Sequence, residues 1–77
     1  MSMSLVDVTI HVDEGINEDQ QNTIIEALRD CNGVVAVGHQ HKSFHLFIVE
    51  YDPEVVNSER LLEVVKDQGV HAELIGL

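Results

Sequence analysis

Residues 44–53 read FHLFIVEYDP. Nowhere else in the chain do apolar, β-branched and aromatic residues run so nearly unbroken. That composition is a strand buried deep in a sheet, and Asp52-Pro53 ends it, because proline cannot donate to the ladder. Inside the run, Phe47, Val49 and Tyr51 alternate with Leu46, Ile48 and Glu50. One triplet therefore faces a core and the other the opposite side of the sheet.

Working outward, Val34 to Gln40 reads as a second strand, weakened by Ala36 and Gly38. A hairpin turn at Lys42 and Ser43 joins it to the first run. Residues 5–13, LVDVTIHVD, alternate with period two: Val6, Val8, Ile10 and Val12 on one face, Asp7, Thr9 and His11 on the other. Glu14 to Ile16 turns, with Gly15 as the permissive residue. Asn17 then caps a helix, and Gln20 completes the spacing of a capping box. Glu18 and Asp19 suit the positive end of the helix dipole. Ile24, Leu28 and Cys31 form the buried stripe, and Asn32-Gly33 stops the helix. Ser58 caps a second helix whose stripe is Leu61, Leu62, Val64 and Val65. Gly69 ends that helix, and residues 70–75, VHAELI, make a last strand with Val70, Ala72 and Leu74 inward.

The order strand, helix, strand, strand, helix, strand predicts an α+β, ferredoxin-like βαββαβ sandwich. Its four-stranded antiparallel sheet has the order 4-1-3-2, with both helices on one face. Residues 1–4 are expected to be a disordered N-terminus and 5–77 a single domain.

Fourteen acidic residues face four basic ones, for a net charge of −10. That balance argues against nucleic acid or an anionic membrane as partner, since both need cationic surface. It suits a soluble, self-repelling monomer, or a cationic partner. The one cysteine, Cys31, permits no internal disulfide, which points to a reducing cytoplasm. No apolar run approaches the roughly 20 residues of a membrane span. The opening MSMSLVD lacks the pattern of a signal peptide.

Several of these features together resemble the heavy-metal-associated (HMA) domain family. They are the helix ending in Gly33-Val34, the strand closing on Tyr51-Asp52-Pro53, Ser58 ahead of Leu61-Leu62, and the passage Gln68-Gly69-Val70. The resemblance runs from about Val6 to Leu74. The family includes copper chaperones, mercury-binding periplasmic proteins and the small N-terminal domains of metal-transporting P-type ATPases. Its metal site is a Cys-x-x-Cys at the start of the first helix, where two thiolates take soft ions. The matching positions here are Asn17 and Gln20. Neither supplies a thiolate, so that site does not carry over.

If metal binds, nitrogen and oxygen must hold it, and the ion expected is Zn(II), Ni(II), Co(II) or Cu(II) rather than Cu(I). Two sets of residues qualify. His39, His41 and His45 flank the hairpin turn, and a three-residue loop would bring all three to one face. Alternatively, His11, His71 and Glu50 form a row across the open face, with the third strand taken as parallel to the first. Each set also has a plain reading, as solvated polar residues at a hairpin tip or a cross-strand polar row. Cys31 is read as a core filler.

Leu46, Ile48 and Ile75 point to the open face and suggest a docking surface for a protein partner or a second copy. No nucleophile-and-base pair or phosphate loop is visible, so the protein is not expected to be an enzyme. Two roles follow: a non-thiol metal-binding domain, or a metal-free interaction module that works through its open sheet face.

Overall fold

The period-two patterns set the architecture. A computed structural model describes residues 4–40 and 43–75, with the side chains of all of these except 39, 40, 43 and 44. Residues 1–3 of the expected disordered tail lie outside the described residues, as does His41. The elements are β1 (Val6–Val12), α1 (Glu18–Arg29), β2 (Val34–Gln40), β3 (Ser43–Tyr51), α2 (Ser58–Lys66) and β4 (Ala72–Ile75). They form one four-stranded sheet in the order β2-β3-β1-β4, which is the expected order read from the other edge. Every neighbouring pair is antiparallel.

Val8, Ile10 and Val12 of β1 and Phe47, Val49 and Tyr51 of β3 are buried in one cluster. Ile24, Ile25 and Leu28 of α1, Leu61, Val64 and Val65 of α2, and Ile16 ahead of α1 complete it. Both helices therefore cover the same side of the sheet. Each fully buried aliphatic or aromatic side chain contributes about 1.5–3 kcal/mol, which makes this layer the main source of stability. On the other side Ile48 and Ile75 are exposed, and Thr9, His11, Leu46 and Glu50 are half-buried.

Antiparallel pairing of β1 with β3 corrects one expectation. The crossover through α1 leaves β2 parallel to β1, and the hairpin then reverses β3. Asp7 consequently faces Glu50, while His11 faces Leu46 at the other end of the strand. Smaller differences concern where elements end. Ser43 belongs to β3 and not to the turn. Helix α1 stops at Arg29 with Asp30 as its cap, and Gly33 takes its positive φ in the turn beyond. Cys31 thus lies just past the helix, still packed against the core, with its thiol donating to the Ala27 carbonyl at 3.5 Å. Asn57, rather than Ser58, caps α2: its side-chain oxygen accepts from the Arg60 N–H at 2.8 Å. Gly15 has no positive φ, so the turn there does not depend on glycine.

The capping box at α1 forms as its spacing predicts. Asn17 Oδ1 accepts from the Gln20 N–H at 2.8 Å, and Gln20 Oε1 accepts from the Asn17 N–H at 3.0 Å. The residues that match the metal-binding positions of the resembling family are therefore committed to capping the start of the helix.

Candidate metal centre

Strand β1 alternates, so His11 and Asp13 leave it on the same side, away from the helices. Strand β4 pairs antiparallel with β1 and sets Glu73 directly opposite His11. Three ligand-type side chains meet there by register alone. His11 Nδ1 lies 3.2 Å from Asp13 Oδ1 and 3.8 Å from Glu73 Oε1. One ligand atom from each of the three falls within 4.8 Å of the others. A tetrahedral ion with bonds near 2.1 Å wants its ligands about 3.4 Å apart, so small side-chain rotations would close the set.

His45 supports this corner. Its ring stacks on that of His11, with centroids 6.1 Å apart and planes 23° from parallel. Its Nδ1 lies 3.1 Å from the Val12 carbonyl. A carbonyl can only accept, so Nδ1 carries the proton and the lone pair of the neutral ring sits on Nε2.

His71 is held apart from the cluster. It immediately precedes β4, where its carbonyl accepts from the Asp13 N–H at 2.8 Å. The Glu14 carboxylate accepts from the His71 backbone N–H at 2.8 Å and from its ring at 2.5 Å. The side-chain bond is the main reason that Glu14 sits below the usual carboxylate range. The same bond raises the His71 imidazole above its ordinary value.

The structure thus redistributes the residues that the sequence singles out. The row of His11, Glu50 and His71 does not form: Glu50 sits at the far end of β3 opposite Asp7, and His71 is engaged by Glu14. His11 remains, with Asp13 and Glu73 in place of the other two. Of the hairpin histidines, only the His45 side chain is among those described. Asp13 and Glu73 were legible in principle. His11 and Asp13 are two ligand-type residues at i, i+2, and Glu73 joins them once the β1–β4 register is known.

Cys31 sits elsewhere, on an open groove of about 550 Å³ between the end of α1 and α2, beside Val56 and Arg60. Partial burial pushes its thiol up, against the opposing pull of Arg60. Burial outweighs the nearby cation, and the thiol lies past the C-terminal end of α1 rather than at a helix N-terminus, so it is not set up as an activated thiolate.

No family model matches the sequence, and no curated protein matches it. Solved structures do. Oxidized MerP from Ralstonia metallidurans CH34 superposes with a TM-score of 0.85 at 18% identity, over 95% of this chain and 100% of that one. A putative copper-ion-binding protein from Bacillus anthracis str. Ames gives 0.82 at 25% identity, over 94% and 100%. The yeast copper transporter domain CCC2A gives 0.79 at 26% identity, over 90% and 93%. By its fold and by the punctuation of its sequence, the chain resembles the heavy-metal-associated domains.

Proposed function

We propose that this domain reversibly binds a divalent transition-metal ion through His11, Asp13 and Glu73 and passes it on by ligand exchange. The convergence of these three side chains carries the proposal. The fold adds to it, since similar structures include a copper-binding domain of a P-type ATPase and the CopZ metallochaperone. The role is non-enzymatic, and the single thiol is consistent with work in a reducing cytoplasm.

One imidazole and two carboxylates suit Zn(II), Ni(II), Co(II) or Cu(II) better than Cu(I), whose softness favours sulfur. The side chains of His11, Asp13 and Glu73 are 37%, 52% and 62% exposed. Such a site gives up its ion easily. Three protein ligands also leave coordination positions open, where an acceptor's donor can attack before the first ligand departs. The ion takes the place of the proton between His11 Nδ1 and Asp13, so affinity falls on acidification.

The test is a titration with each of the four divalent ions and with Cu(I), followed through the histidine ring signals by NMR. The His11 ring should move first. His11→Ala should abolish binding, and Glu73→Gln should weaken it about tenfold or more. A His11 ring unmoved at millimolar divalent metal would end the proposal, and tighter capture of Cu(I) would overturn the choice of ion.

A further inference from the structure

We propose that the open face of the sheet docks a basic protein partner, one that presents an aliphatic ridge flanked by lysine or arginine. The strand register builds this face in rows. Gly38, Ile48, Thr9 and Ile75 stand side by side across all four strands. Ile48 and Ile75 are 41% and 38% exposed. Gly38 has no side chain, and a Cβ there would meet nothing nearer than the Ile48 carbonyl at 3.9 Å, so the row is a shallow trough at that end. Ala36, Glu50 and Asp7 form the row on one side, and Leu46, His11 and Glu73 the row on the other. A largely apolar row thus runs between one row that carries two carboxylates, Asp7 and Glu50, and another that carries one, Glu73.

The charges identify the occupant. Asp7 and Glu50 face each other directly across β1 and β3. Like charges in that position destabilise a sheet. No ion pair among the described residues involves either carboxylate. Arg29, Arg60 and Lys66 all lie on the helices, so they do not reach this face. A bound cation-bearing surface would relieve the repulsion that the free domain carries. A second copy would instead add its own Asp7, Glu50 and Glu73 to the same place, on a chain of net charge −10. With strands about 4.8 Å apart the patch is only about 14 Å across, which makes the contact weak and salt-sensitive. Asp7, Glu50 and Ile48 lie outside the candidate metal ligands, whereas His11 and Glu73 of the bordering row belong to them, so the contact is tested on the metal-free chain through Asp7, Glu50 and Ile48.

The probe is a synthetic amphipathic helical peptide with a leucine stripe bordered by lysines, titrated into the isotopically labelled full chain by NMR. A control peptide keeps the lysines and replaces each leucine by serine. The amides of Thr9, Gly38, Ile48 and Ile75 should shift, more at low salt than at high. The control should bind about tenfold more weakly, as should the Ile48→Lys variant with the first peptide. The double variant Asp7→Asn with Glu50→Gln should also bind more weakly while melting at a higher temperature, a combination that plain loss of structure would not give. Equal binding of the control, shifts confined to the acidic turns of the helices, undiminished binding by the double variant, or no shift at all would each overturn the proposal. Line broadening of the free protein on this face as it is concentrated would replace the basic partner by a second copy.

Discussion

The Glu14 carboxylate grips His71 at two points, accepting from its backbone N–H at 2.8 Å and from its ring at 2.5 Å. This clasp ties the exit of β1 to the entry of β4, in the register that sets Glu73 against His11. Its pH window follows from the two shifts. Glu14 is lowered from 4.5, so its share of stability is present above that value and is lost as pH falls through the lowered value. His71 is raised from 6.5, so its share is complete below that value and is lost as pH rises through the raised one. The clasp is strongest between those limits. Glu14→Gln should bring the His71 titration down towards the ordinary value and flatten the pH dependence of the melting temperature. An NMR pH titration of the ring, with melts across the same range, measures both.

Asn17 and Gln20 lend each other hydrogen bonds across the first turn of α1. Removing that reciprocity by Asn17→Ala should cost about 1 kcal/mol, seen as a lower denaturation midpoint with an unchanged slope. The double change Asn17→Cys with Gln20→Cys should cost a comparable amount. It should also create a soft-ion site where the apo chain has none, because two thiolates would then share the exposed start of the helix. Thiolate-to-metal absorbance on adding Cu(I) or Hg(II), absent from the parent chain, is the readout.

Faces were legible from the sequence, and register was not. Period two assigns His11 and Glu73 to the open side whatever their partners are. It does not say which residue of β4 lies opposite His11. A shift of two residues keeps every side chain on its face. Sequence reasoning matched His11 with His71, whereas the pairing sets Glu73 there and leaves His71 beside Asp13. The Glu14 clasp that accompanies this register joins residues 57 positions apart, and no local pattern signals it. The direction of β3 was open to reasoning, because a crossover followed by a hairpin can only return it antiparallel to β1. The N-caps were legible to within a residue, since Asn57 and Ser58 are both good N-caps and only the bond from Arg60 decides between them; the C-terminal caps, Asp30 and Asp67, fall two or more residues before the glycines expected to stop the helices.

Phe47 is fully buried at the centre of β3, within the core cluster that the sheet and helices share. Phe47→Ala removes a large ring from a layer with little means of collapsing around the space. The expected loss is about 3–5 kcal/mol, a large share of the stability of a domain this small. Phe47→Leu keeps most of the volume and should cost much less. Urea unfolding of both variants should show the alanine change with its midpoint close to zero denaturant and the leucine change still cooperative.

Gly33 is where the backbone leaves no alternative. Its φ is +97°, and a Cβ built there would meet Val55 Cβ and Val56 Cγ1, each at 2.9 Å. Its carbonyl accepts from the Asp52 N–H at 2.8 Å, so the residue cannot turn away without breaking the tie between the start of β2 and the end of β3. Gly33→Ala therefore combines a disfavoured left-handed conformation with a clash against the chain that leads into α2. A loss above about 1 kcal/mol is expected. Gly38 makes the control, since it has no positive φ and open space around its α-carbon. Gly38→Ala should leave stability unchanged or slightly raised, because alanine restricts the unfolded chain more than glycine does. Paired thermal melts of the two variants would separate the explanations. Equal destabilisation would mean that chain flexibility, rather than the crowding at Gly33, sets the cost.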